Sequence, residues 1–217
     1  MIKLVILDMD GTMFDTEPLW DKAFMETNKI LGYNVSEELH QRIIGSNGKT
    51  TEMILKNSLG EDYPFQKFNK LYFDTLINLV NKEGIKIKPG LIELLNYLIN
   101  NKYPIALASS SRKDIIYNDL EKSGIDKNIF NIIISGDDLK DSKPNPEIFI
   151  KTCQKLNINP SDSIVIEDSN NGIIAASKAG CIPILIPDID IITDEVLSLV
   201  KYKCDNLSEV IDILKKY

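Results

Sequence analysis

The chain has 217 residues, of which 43% are hydrophobic and 26% charged, enough apolar matter for a full core and too much for wholesale disorder. A net charge of −7 argues against a nucleic-acid or anionic-membrane surface, each of which needs a basic patch. A small anionic substrate stays compatible, because a metal ion and a few lysines can dominate a local field.

The first apolar run, 2–7 (IKLVIL), ends in acidic residues and reads as a strand buried on both faces rather than as a signal peptide. The next interval, 15–83, shows helical patterns only, at 17–32, 36–45, 50–60 and 65–80. Such a block is too long for a βα loop and predicts a separate helical subdomain. Asp15, Thr16 and Pro18 start it, while Gly84, Pro89 and Gly90 mark the return.

From there strands and helices alternate. A helix face at 91–100 (LIELLNYLIN) precedes strands at 104–109 (PIALAS) and 131–135 (NIIIS). A helix at 146–156 follows, with Asn145 and Pro146 placed to cap and start it. Next come a strand at 163–167 (SIVIE), a helix at 171–180 closed by Gly180, and a strand at 182–186 (IPILI). This alternation predicts an α/β fold: a doubly wound parallel sheet (residues 1–14 and 84–217) carrying an inserted all-helical subdomain (15–83). Cys153, Cys181 and Cys204 are odd in number and lack metal-ligand spacing, so they read as buried thiols of a reducing compartment. With no run of membrane-spanning length, the expectation is a soluble cytoplasmic protein.

The chemistry gathers where strands end. The first ends in LDMDGT, with Asp8 and Asp10, and the second in ASSSR, with Ser109. Lys143 stands before a proline in DSKPNP, and IEDSNNG brings Glu167 and Asp168. Each alone is an ordinary loop residue, but all four clusters converge on one edge if the sheet is parallel. Acidic side chains packed there repel one another unless a hard cation sits among them, and carboxylate oxygens suit Mg²⁺. Lys143 and the Ser109 hydroxyl supply the donors an anion needs.

These residues, in this order, resemble the four motifs of the haloacid dehalogenase-like superfamily. The resemblance spans the chain, helical cap included. It is closest to the branch holding beta-phosphoglucomutase and small sugar-phosphate phosphatases, which DTEPLWD and SKPNPEIF resemble. It implies a Rossmann-like core and roles residue by residue. Asp8 is the implied nucleophile, forming an aspartyl phosphate that water then hydrolyses. Asp10 is the implied acid and base, and Ser109 and Lys143 bind phosphoryl oxygens. The implied Mg²⁺ ligands are Asp8, the Asp10 carbonyl and Asp168, with Glu167 in or near the surrounding shell. Metal-free dehalogenases of the superfamily lack the second aspartate, which is present here as Asp10.

The stretch 43–53 (IIGSNGKTTEM) resembles a nucleotide-binding loop, that of amide ligases such as the Mur enzymes. A Walker-type loop needs a buried strand before it, whereas residues 37–44 (EELHQRII) have helical spacing, and Ile43 occupies the first glycine position. The better reading is a cap loop that selects substrate, with Gly45 and Gly48 allowing close approach and Lys49 and Ser46 as candidate contacts. His40, the only histidine, reads as a surface residue on a polar helix. Arg112 either helps to bind substrate or begins a helix, and Asp137, Asp138 and Asp141 read as solvated. Aligning DTEPLW with the mutase resemblance puts Trp20 where that branch carries a proton-accepting histidine, and Gly48 where it carries an arginine. Trp20 is expected to pack in the cap or wall the substrate pocket.

The resulting expectation is a Mg²⁺-dependent phosphatase acting on a small phosphorylated metabolite, a sugar phosphate above all. No nucleic acid, membrane or protein partner is implied. The alternatives are a phosphosugar mutase and, from another class, a phospho-accepting receiver module.

Overall fold

In the computed structural model, which describes residues 1–44, 46, 48–189 and 191–217, the first apolar run becomes β1 (Leu4–Leu7). It is followed by β2 (Phe14–Asp15), the helices α1 (Glu17–Ile30), α2 (Glu37–Gln41), α3 (Gly48–Leu59) and α4 (Phe65–Glu83), and β3 (Lys86–Ile87). Helices and strands then alternate through α5 (Leu91–Asn100), β4 (Ile105–Ala108), α6 (Lys113–Ser123), β5 (Ile132–Ile134) and α7 (Glu147–Leu156). The chain ends with β6 (Ser163–Glu167), α8 (Asn170–Ala179), β7 (Ile182–Leu185), α9 (Asp194–Leu197), β8 (Tyr202–Lys203) and α10 (Val210–Leu214). Two units result, Met1–Asp15 with Ile85–Tyr217 and Thr16–Gly84.

All four β1 side chains are buried, so this strand needs a partner on each edge and helices on each face. It pairs in parallel with β4 and β6, inside a six-stranded parallel sheet of order β5-β4-β1-β6-β7-β8. The chain steps outward from β1 to β4 and β5, crosses back to β6, and steps outward the other way. That reversal falls between β1 and β6, where parallel sheets open a crevice beyond their carboxyl ends. On one face Leu4, Ile6 and Val165 pack with Phe149 of α7 and with Ala175 and Ala176 of α8. Each large side chain so buried contributes about 1.5–3 kcal/mol. The alanines keep α8 close to the sheet.

The sheet is the predicted doubly wound one, with two additions. β8 extends one edge, and β2 pairs antiparallel with β3, Phe14 opposite Ile87 and Asp15 opposite Lys86. Strands of two residues are too short to show an alternating pattern, so backbone pairing rather than sequence defines them. Capping follows expectation at Gly180, which ends α8 at φ 81°. At α7 the start shifts by one residue: Pro146 is the cap position and the Asn145 side chain accepts from the Glu147 N–H at 2.9 Å.

Within Thr16–Gly84, α1 packs on α4 around Phe24, Leu39, Leu55, Tyr63 and Phe68. Asn28 is fully buried and satisfied, donating to the Phe24 carbonyl (2.9 Å) and accepting from the Tyr63 hydroxyl (2.7 Å). His40 overturns the surface reading: only 2% is exposed, and its ring lies against Phe24 with centroids 4.7 Å apart. Its Nδ1 pairs with Asp21 and its Nε2 lies 3.1 Å from the Tyr72 hydroxyl. Burial lowers its pKa, against the pull of Asp21. The polar residues around it mask its place on the apolar face. Among the described residues no helix is long and apolar enough to cross a membrane.

Helix α6 buries an acid. Asp119 shares a face with Ile115, Ile116 and Leu120, is 1% exposed, and accepts one long bond from Asn118 (3.4 Å). Burial, with the charge of Asp10 adding, pushes its carboxyl from 3.8 to about 7. Because the folded value exceeds the unfolded one, the folded state holds a proton that the unfolded state has lost between those limits. Stability therefore falls as pH rises from about 4 to about 7, by a total on the order of a few kcal/mol. Asp119→Asn is expected to be near neutral at pH 4 and stabilising at pH 8, read from denaturant melts of the metal-free protein. A difference between variant and parent that does not change with pH would rule this out.

Candidate active site

Strand register levels the candidate residues. Leu7 sits opposite both Leu107 and Ile166, so the ends of β1, β4 and β6 share one edge. One step on, the Asp8 N–H donates to Ile166 (3.0 Å) and the Ser109 N–H to Ile134 (3.1 Å). Glu167 is the last residue of β6 and Asp168 the next. Lys143, from the loop between β5 and α7, reaches into the same place. Its Nζ donates to Asp8 Oδ1 (2.5 Å) and Glu167 Oε1 (2.6 Å), lies 3.5 Å from the Ala108 carbonyl, and sits 5.3 Å above the Phe149 ring. Its peptide bond to Pro144 is cis.

Asp8, Glu167 and Asp168 are all buried and bring one carboxylate oxygen each within 4.8 Å of the others. Lys143 answers only part of their charge. Burial works against charging the lysine, yet Asp8 and Glu167 together hold it protonated with its pKa raised. For Asp8, burial raises the pKa more than Lys143 lowers it, and Glu167 adds to the rise. Asp168 is also raised, by burial first and then by Glu167 and Asp8. Three close hard oxygen donors carrying surplus negative charge match the chemistry of a hard divalent cation.

Neighbouring backbone holds these groups in place. Glu167 Oε2 accepts from the N–H groups of Asp168 and Ser169 (both 3.0 Å) and from the Ser169 hydroxyl (2.9 Å). Ser169 caps α8 by accepting from the Gly172 N–H (3.0 Å). A Cβ at Gly172 would lie 1.8 Å from the Glu167 carboxyl carbon, so only glycine fits there. Asp168 Oδ1 accepts from Thr12 Oγ1 at 3.0 Å. Gly11 has φ 78°, and a Cβ on it would meet Asp168 Oδ2 at 2.2 Å.

The Asp10 carboxylate is not one of the three grouped acids, though its charge acts on Asp8. Its Oδ2 accepts from the Ser111 hydroxyl at 2.7 Å and from Ser109 Oγ at 3.4 Å, and Ser109 Oγ accepts from the Ser111 N–H at 3.0 Å. Ser111 went unread in the sequence, although ASSSR offered three candidate hydroxyls. Thr12, Gly11 and Gly172 were missed as supports as well. Only the closeness of two separate loops reveals them.

Other candidates fall elsewhere. Trp20 is half-buried in the helical unit, tilted on Tyr72 (centroids 5.3 Å apart) and edge-on to Phe73 (6.0 Å). Lys49 is exposed in the first turn of α3, and Gly45 lies outside the described residues. Ser46 Oγ is engaged locally, donating to the Ile43 carbonyl (2.8 Å) and meeting Thr51 Oγ1 at 2.7 Å. The segment before this stretch is α2, so the strand a nucleotide loop requires is replaced by helix. Arg112 begins α6 and forks onto Asp114 (3.1 and 2.6 Å). Asp137 and Asp138 are not merely solvated: Asp137 accepts from the Lys113 N–H (2.9 Å), and Asp138 accepts from the N–H (3.0 Å) and hydroxyl (2.7 Å) of Ser135.

The sequence profile of the haloacid dehalogenase-like hydrolase family matches residues 5–186. A phosphorylated carbohydrates phosphatase of Thermotoga maritima is 32% identical over 179 residues, covering 82% of each chain. Among solved structures, a putative beta-phosphoglucomutase of Thermotoga maritima superposes with a TM-score of 0.79 at 28% identity, covering 99% of both chains. CbbY of Rhodobacter sphaeroides, crystallised with phosphate, shares the fold with a TM-score of 0.85 at 23% identity, covering 97% of this chain and 96% of its own. The chain belongs to the haloacid dehalogenase-like hydrolase family.

Proposed function

We propose that the chain is a Mg²⁺-dependent phosphatase that hydrolyses a small phosphorylated metabolite, a sugar phosphate, through an aspartyl-phosphate intermediate. The observation that carries this reading is the buried trio Asp8, Glu167 and Asp168, with Lys143 between two of them, at the crevice between β1 and β6. The similarity to a phosphorylated carbohydrates phosphatase supports the substrate class. A cytoplasmic setting belongs to the same reading and suits three free, buried cysteines.

Asp8, Asp168 and the Asp10 carbonyl would hold the ion, with Glu167 in or near the surrounding shell. When bound, Mg²⁺ offsets the charge of the carboxylates and of the phosphoryl oxygens. Asp8 attacks phosphorus as the bond to the leaving oxygen breaks, and Asp10 gives that oxygen its proton. Asp10 then takes a proton from the water that attacks the aspartyl phosphate, releasing inorganic phosphate and restoring Asp8. The Ser111 hydroxyl holds the Asp10 carboxylate in place between the two steps. Lys143 and the Ser109 hydroxyl bind the phosphoryl oxygens, whose charge spreads in the transition state. Lys49, exposed at the start of α3, is assigned to the variable part of the substrate.

The mutase reading draws on the likeness to a putative beta-phosphoglucomutase. Against it stands Trp20, whose indole N–H cannot accept a proton at neutral pH and whose ring is engaged with Tyr72 and Phe73. The receiver reading is disfavoured by family membership and by the inserted helical unit.

Phosphate release should require Mg²⁺, stop with chelator, and be greatest on phosphosugars in a panel that includes nucleotides and phosphoglycolate. Asp8→Asn should lower turnover by roughly 10³-fold or more, since it removes the attacking charge. Asp10→Asn should be nearly as inactive while binding metal better than Asp8→Asn. Near-normal turnover in Asp8→Asn would sink the mechanism.

The two lysines separate common from variable recognition. Lys143→Ala should depress turnover on every substrate by about 10²-fold or more, the cost of losing one preorganised donor to the transition state. Lys49→Ala should change the ranking of substrates and leave the common chemistry intact. Uniform loss in both variants would contradict this division of labour.

With a bisphosphate primer present, hydrolysis should still outrun interconversion of hexose 1- and 6-phosphates, as followed by ³¹P NMR. Isomerisation faster than phosphate release would make the protein a mutase.

A further inference from the structure

A second ion pair borders the site. Lys88 follows β3, with its N–H donating to the Met13 carbonyl at 2.9 Å, and Asp188 lies in the loop after β7. Lys88 Nζ donates to Asp188 Oδ1 at 2.5 Å, and their side chains are only 15% and 12% exposed. The other oxygen, Asp188 Oδ2, is buried with no hydrogen-bond partner among the described residues. A Cβ built on Gly11 would lie 3.1 Å from that oxygen and 2.2 Å from Asp168 Oδ2. Both oxygens therefore face the same Gly11 Cα, one from the loop after β6 and the other from the loop after β7.

A clamp between loops accounts for Oδ1 and leaves Oδ2 unexplained. Burying a carboxylate oxygen without a donor is costly. Such a group calls for a donor that binds there. Mg²⁺ gives up its waters reluctantly and usually keeps several, and the protons of those waters need acceptors. We propose that Asp188, steadied by Lys88, is a positioning residue whose Oδ2 accepts a hydrogen bond from a water carried by the cation at Asp168. The inference rests on the metal-dependent reading above. Lys88 neutralises Asp188 from the far side, so the acceptor adds direction without adding a full uncompensated charge to an already acidic site. Gly11 is then required for a second reason, since any side chain would fill the gap between the two carboxylates.

Calorimetric titration of Mg²⁺ into the parent protein, Asp188→Asn, Asp168→Asn and Asp162→Asn tests this, alongside melting of each in chelator. Asp188→Asn should weaken Mg²⁺ binding about tenfold or more, as expected when an outer-shell partner is lost. Its metal-free melting temperature should hold, because the amide oxygen still accepts from Lys88. Asp162→Asn removes the same charge just before β6, at the opposite end of that strand, and should bind Mg²⁺ normally. Parental affinity in Asp188→Asn, or an equal loss in Asp162→Asn, would overturn the proposal. In either case weakened binding in Asp168→Asn would leave the metal site standing, whereas unchanged binding in Asp168→Asn would remove the metal reading itself. Should Asp188→Asn not fold, Asp188→Ser is read by the same criteria.

Discussion

Lys143 sits between Asp8 and Glu167, and the arrangement at the carboxyl edge depends on that contact. Three carboxylates so close together and so deeply buried would expel one another or take up protons without a cation among them. One lysine meets part of this demand while leaving surplus negative charge, and so the site stays both folded and receptive to a divalent ion. Its reach is set by a loop between β5 and α7 and by the Phe149 ring beneath the ammonium.

The acids in turn depend on close backbone approach. Gly172 exists to let the first turn of α8 lie against the Glu167 carboxylate, and Gly11 to let the loop after β1 pass Asp168. Ser169 links two of these demands, since it caps α8 and donates to Glu167. The helix start and the carboxylate are thus one hydrogen-bonded piece, and losing either would cost both. The same economy holds on the other side of the crevice, where Ser111 supports Asp10 and donates its own N–H to Ser109.

The helical unit solves a different problem. It buries His40, Asn28 and Tyr63 among aromatic rings and satisfies them with one another or with nearby side chains. Buried polar groups contribute little net stability, yet an unmet one is costly, so they favour one packing over its rivals. An aromatic core pinned by such bonds has fewer alternative arrangements than a purely aliphatic one.

Several features were legible in the chain alone. Apolar runs without alternation announced strands covered on both faces, and the helical periods between them required a parallel, doubly wound sheet. In such a sheet residues that end strands must meet at one edge, and so Asp8, Ser109, Glu167 and Asp168 could be grouped before any coordinate was known. Lys143 was grouped with them on the same ground, although its spacing does not show where the loop between β5 and α7 folds back. Periodicity reports which face is covered and is silent on which loops touch. The burial of His40 and Asp119, hidden by polar neighbours on their helices, was therefore decided by tertiary packing. So was the pairing of Ser111 with Asp10, and that of Lys88 with Asp188 across 100 residues of chain. Local sequence sets which conformations are cheap for each segment, but charge balance and close approach arise only once distant segments share a space.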